Sequence, residues 1–149
     1  MTTLLIFVIL VLGVVVLISS TRWKLSKDLK RSLDESSFFI YRNKTVSASA
    51  QLALGESLAI PIKSTVLINE REMHLIPNKF SPLLFMTDFP FTFYRKDNKK
   101  LKLERSDYSG IVFVSQKRNP SMFGKVFEVR IEVYDDEKRE MLKKIKNWR

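Results

Sequence analysis

Leu4 to Ile18 runs without one polar side chain, and Thr2, Thr3, Ser19, Ser20 and Thr21 extend the stretch without adding a charge. About twenty helical residues rise roughly 30 Å, the thickness of a bilayer's hydrocarbon. The pattern predicts a single transmembrane helix over residues 1–21. Leu25, Leu29 and Leu33 then recur at helical spacing, so residues 22–36 are expected to continue as a basic juxtamembrane helix or stalk. Such a helix can lie along anionic headgroups or dock its leucines on the domain that follows. Both readings stay open at this point.

From Phe38 the period drops to two. Phe38 to Tyr41 is a short aromatic strand candidate, and from Thr45 to Leu54 the residues Val46, Ala48, Ala50, Leu52 and Leu54 share one face. Leu58 to Ile62 follows a turn, with Pro61 marking an edge or a bulge. Ser64 to Ile68 and Met73 to Ile76 read as a hairpin around Asn69–Glu72. Phe91 to Lys96 and Leu101 to Arg105 read as a second hairpin, joined through Asp97–Lys100. Ile111 to Ser115 is a continuous apolar run, expected as a central strand. Val126 to Tyr134 alternates most clearly, with Phe127, Val129, Ile131 and Val133 on one side. Asp135 and Asp136 then cap a helix over 135–149, whose Met141, Leu142, Ile145 and Trp148 fall on one face. Residues 37–149 are therefore read as one mainly β domain with a C-terminal helix.

Between Pro77 and Pro90 the pattern is irregular. Phe80, Leu83, Leu84, Phe85 and Phe89 crowd a segment punctuated by three prolines. It is either a loop that covers an open end of the core or an exposed partner surface.

Composition sharpens this picture in two places. The chain of 149 residues contains no cysteine, which excludes disulfides, thiolate zinc sites, a cysteine nucleophile and a lipoprotein signal. The net charge of +10 is unevenly placed. No charged side chain precedes the apolar run, whereas Arg22, Lys24, Lys27, Lys30 and Arg31 follow it against Asp28 alone, with Trp23 at the expected headgroup level. Positive flanks stay on the cytoplasmic side, so the expected topology is amino terminus outside and domain in the cytoplasm. The rival, a cleaved secretory signal, lacks a basic n-region, and Ile18-Ser19-Ser20 is a poor small-x-small site. Arg22, Trp23, Lys24, Lys27, Lys30 and Arg31 are candidate lipid contacts, each cation worth roughly 1 kcal/mol beside an anionic leaflet.

The closing stretch, strand Val126–Tyr134 followed by an acidic helix start and an apolar helix face, resembles the end of pleckstrin-homology-like (PH-like) domains. The element order from Phe38 to Arg149 is similar to theirs throughout: a bent antiparallel barrel or sandwich whose last strand runs into a closing helix. The tryptophan common in that helix corresponds most nearly to Met141, and Trp148 lies about two turns later. The resemblance implies a non-catalytic binding module for phosphoinositides, peptides or proteins. Its lipid-binding members carry basic residues in their first inter-strand loop, to which Arg42-Asn43-Lys44 would correspond.

A search for chemistry leaves little. His74 is the single histidine, expected to be structural or exposed, and no metal or cofactor site is expected. No serine stands in a nucleophile-elbow motif, none of the four glycines forms a phosphate-cradling loop, and no catalytic site is expected. Arg95, Lys96, Lys99, Lys100, Lys102 and Arg105 form a basic hairpin, either a lysine-protected edge or a contact for anionic headgroups or an acidic partner. No recognition motif for nucleic acid accompanies it. The sequence therefore predicts a membrane-anchored, non-enzymatic binding or scaffolding module, a small subunit or adaptor of a membrane complex, whose partners are membrane lipids and another membrane or membrane-associated protein. The alternative is a lipid-handling protein that binds anionic headgroups or holds an apolar ligand beneath the Phe80–Phe89 loop.

Overall fold

The computed structural model describes residues 2–51, 57–95, 101–107, 110–115 and 127–146. Helix α1 (Thr2–Ser32) is continuous from the apolar run into the basic stretch, and it is long and apolar enough to cross a membrane. A single 3₁₀ turn over Glu35–Ser37, capped by the Asp34 carboxylate accepting from Ser36 N, leads into the sheet.

The sheet has seven antiparallel strands: β1 (Phe39–Gln51), β2 (Ser57–Ile68), β3 (Glu72–Pro77), β4 (Phe91–Tyr94), β5 (Leu101–Asp107), β6 (Gly110–Ser115) and β7 (Phe127–Ile131). Their order is β4-β3-β2-β1-β7-β6-β5, and the sheet curls into a half-barrel. Helix α2 (Asp135–Lys146) follows β7 and sets Met141 and Ile145 into the core.

Strand β1 organises the sheet. It merges the two strands expected at its start into one, with an extra residue opposite β2 between Tyr41 and Lys44. Asn43 takes a positive φ of 57° there, which asparagine tolerates better than other side chains. Beyond this bulge, β1 pairs with β2 on one side and through Val46–Ala50 with β7 on the other. Strand β2 likewise unites two predicted strands. Strand β3 pairs with β2 only over Ser64–Ile68, so Pro61, opposite Ser47 of β1, lies where β2 has β1 alone as its neighbour among the described residues.

The Phe91–Arg105 region differs from its expected form. Strand β4 pairs with β3 and β5 with β6, at opposite ends of the strand order, so the two are not a hydrogen-bonded hairpin. Loop length made a hairpin plausible, but the β1–β7 pairing joins the two halves and leaves β4 and β5 as separate edges.

The core lies on the concave face. Val46, Val66, Ile68, Met73, Leu75, Ile111, Val129, Ile131 and Val133 are fully buried in it, together with Met141 from α2. The opposite face of β2 and β3 is covered as well. Side chains alternate along a strand, so Leu67, His74 and Ile76 point away from Val66, Met73 and Leu75, yet all three are buried. The basic half of α1 faces Leu67 and Ile76, and Phe38 meets His74.

Candidate functional site

Two of the three sets of candidate residues, the juxtamembrane stretch and the Phe80–Phe89 segment, meet where α1 joins the domain. Pro82–Met86 forms a 3₁₀ turn beside the helix. Its start is written in Ser81-Pro82: the serine side chain accepts from Leu83 N at 3.2 Å, and proline fits the first helical position. Leu84 from this turn is fully buried, and Phe89 is buried against Phe91 with ring centroids 4.6 Å apart. The segment thus closes one end of the core, while Phe85 is half-buried and Phe80 and Leu83 stay exposed, at 44% and 46%.

Three contacts seat α1 on this turn and the sheet. The Ser19 hydroxyl donates to the Pro82 carbonyl at 2.7 Å. The Arg22 guanidinium pairs with Asp88 at 3.1 Å. Trp23 packs against the core. Ser26 is also fully buried, its hydroxyl turned back to the Arg22 carbonyl at 2.8 Å. Serines at these positions let the helix backbone approach closely. The leucine stripe joins this seat only in part: Leu25 is 54% exposed, while Leu29 and Leu33 are half-buried. Seven residues nearly complete two helical turns, so Leu29 and Leu33 lie on almost the same side of the helix as Arg22 and Ser26.

Below this seat a cleft of about 650 Å³ opens between α1 and the outer face of β1–β3. Trp23, Ile40, Leu67 and Ile76 contribute apolar walls. Lys27, Lys30, Arg31 and Arg42 supply positive charge against Glu35. Lys30 and Arg42 both approach that carboxylate, at 3.9 and 3.8 Å, and Lys27 Nζ lies 5.5 Å from the Trp23 ring centroid. Of the juxtamembrane candidates, Trp23, Lys27, Lys30 and Arg31 therefore share one cleft, Arg22 holds Asp88, and Lys24 is exposed. Arg42 comes from β1 and reaches these residues only across the cleft, because α1 packs on the 3₁₀ turn and β3.

Arg42-Asn43-Lys44 is not in the loop between the first two strands. It forms the bulge inside β1, where Lys44 pairs with Glu137 of α2. Of the basic stretch, Arg95 follows β4 and donates its backbone N–H to Arg71 O at 2.7 Å. Lys102 and Arg105 lie on β5 opposite Val114 and Val112, and Lys96, Lys99 and Lys100 lie outside the described residues. Leu52, Leu54 and Trp148 also lie outside them.

His74 is buried in the sheet. Its Nδ1 lies 3.0 Å from Thr92 Oγ1 across the β3–β4 pair, Nε2 is 3.5 Å from Glu72, and Phe38 meets the ring edge-on at 5.5 Å. Burial pushes its pKa below the ordinary 6.5, against the pull of the Glu72 carboxylate. Burial and the nearby Glu140 carboxylate push the Tyr41 phenol up to about 12. Among the described residues no three histidine, aspartate or glutamate side chains gather as a metal site. No protein family matches this chain, and no curated protein does so either.

Proposed function

We propose that this protein is a single-pass membrane anchor carrying a PH-like binding or scaffolding domain, a small subunit or adaptor of a membrane complex without catalysis of its own. The observation that carries the reading is the seat of α1. One uninterrupted helix contains the apolar run and, through Ser19, Arg22, Trp23 and Ser26, is packed into the domain. A helix joined this way fixes the height and tilt of its domain at a membrane, which suits presenting one surface to a membrane partner. The PH-like assignment is supported by the strand order, by β1 pairing with both β2 and β7, and by the helix that follows the last strand. The cationic residues after the apolar run support a cytoplasmic domain.

A lipid-handling role is the second reading, and the cleft favours it. Its apolar walls and four cations suit an anionic headgroup with part of its acyl chain. The barrel interior beneath Phe80–Phe89 is a less suitable ligand site, since Leu84 and Phe89 of that segment are themselves buried in the core. Purification of the full-length protein from gently solubilised membranes, read by mass spectrometry of proteins and lipids together, separates the two. A stoichiometric protein partner supports the adaptor. Co-purifying anionic lipid without protein, lost in Lys30→Glu and Arg42→Glu variants, replaces it with the lipid reading. A Lys99→Glu/Lys100→Glu variant tests the basic stretch: unchanged binding to anionic liposomes removes it as a lipid contact.

A further inference from the structure

We infer that Phe80 and Leu83, carried by the Pro82–Met86 turn, form an apolar foot that dips into the headgroup–acyl boundary of the bilayer crossed by α1. The inference rests on the anchoring proposed above and adds a second point of membrane contact, through the domain itself.

The helix serves as a ruler. The apolar run Leu4–Ile18 is centred on Val11. A hydrocarbon half-thickness of about 15 Å at 1.5 Å per residue puts the hydrocarbon edge roughly ten residues later, near position 21. Ser19 lies inside that edge, and its hydroxyl holds the Pro82 carbonyl at 2.7 Å. Val15, one turn deeper, is partly covered, although its neighbours along the run are exposed. The domain therefore climbs the helix into the level of the apolar run, and the turn is the part that climbs.

The chemistry of the turn fits that depth. Phe80 and Leu83 are exposed at 44% and 46%, and Pro82 between them is exposed too. Interfacial segments bury apolar side chains roughly 5–10 Å into this zone. Backbone polar groups there need internal partners. Pro82 has no N–H to satisfy, and its carbonyl is held by Ser19. Leu83 N donates to Ser81 Oγ, Leu84 N to Ser81 O, and Thr87 N to Leu84 O. Lys79, exposed beside Phe80, has the reach to place its ammonium among headgroups.

The chain has no cysteine, so single cysteines can be spin-labelled without background. Full-length Phe80→Cys, Leu83→Cys, Leu12→Cys and Glu70→Cys are each placed in phosphatidylcholine–phosphatidylglycerol vesicles. Collision rates with oxygen and with a water-soluble nickel chelate then report depth. Expected is a ratio favouring oxygen at 80 and 83, between the extremes of Leu12 in the apolar run and Glu70 in the exposed β2–β3 turn. Nickel accessibility at both foot positions equal to that at Glu70, with Leu12 in hydrocarbon, overturns the foot but not the anchor. Aqueous behaviour at Leu12 overturns both. Shielding of 80 and 83 from both reagents overturns the lipid assignment in favour of a second copy or a protein partner.

Discussion

The hydroxyl of Ser19 and the carbonyl of Pro82, sixty-three positions apart in sequence, meet at 2.7 Å and tie the last apolar turns of the helix to the domain. Ser19 is fully buried, so no larger side chain fits without displacing the 3₁₀ turn. Ser19→Leu should destabilise the full-length protein by about 1–3 kcal/mol, and Ser19→Ala, which loses only the hydrogen bond, by about 1 kcal/mol. Thermal unfolding in a mild detergent checks the order. Amide exchange should rise first in residues 83–87. Equal stability of the serine and leucine proteins would remove Ser19 from the seat.

The seat also implies that the domain does not end where its strands begin. Leu67 and Ile76 are buried on the face covered by α1. A variant lacking residues 1–18 retains that cover, while one lacking 1–36 exposes it. The shorter chain should unfold several degrees lower, since about 1 kcal/mol shifts a domain of this size by roughly 4 °C. It should also aggregate more readily. Identical midpoints for the two would show that the helix only leans on the sheet.

His74 gives the domain a defined response to acid. Its folded pKa lies below the unfolded value of 6.5 because burial disfavours the imidazolium. Above that value both states are neutral and the residue contributes no pH dependence. As pH falls through 6.5 the unfolded chain takes up a proton that the folded one refuses, so stability declines until the folded histidine itself titrates. In His74→Gln this part of the slope should vanish, leaving only the carboxylates. Chemical denaturation at stepped pH from 7.5 downward measures it, and parallel curves for the two proteins would contradict the assignment.

Gly110 opens β6 where the chain passes close to β7. A Cβ at this position would lie 2.6 Å from the Ile131 carbonyl oxygen, a backbone atom that cannot swing aside. Gly110→Ala should therefore cost about 1–3 kcal/mol and loosen the β6–β7 pairing. Denaturant midpoints and amide exchange in 111–115 read both effects. Wild-type values for both would mean that the two strands are free to separate at this end.

Much of this architecture is legible in local pattern. The continuous apolar run of α1, the alternation of β7 and the helical spacing of Met141 and Ile145 are properties of adjacent residues, so contiguous sequence states them. In β3 the alternation is masked. His74 and Ile76 are as buried as Met73 and Leu75, because Phe38 lies against the histidine and α1 faces Ile76 on that side of the sheet. The bulge at Asn43 likewise hides one strand as two, since an extra residue resets the period of two.

An apolar helix long enough to span a bilayer, a mainly β domain behind it and a closing amphipathic helix can all be read from the residues in order, because periodicity and length are set by neighbours along the chain. Folding in three dimensions sets which residues of the helix meet the domain, makes β4 and β5 opposite edges, and leaves Phe80 and Leu83 outside while Leu84 and Phe89 turn in. Those choices depend on contacts between residues far apart. Local pattern marks the leucines of α1, but it is the approach of the 3₁₀ turn that buries Ser19 and leaves Leu25 in solvent.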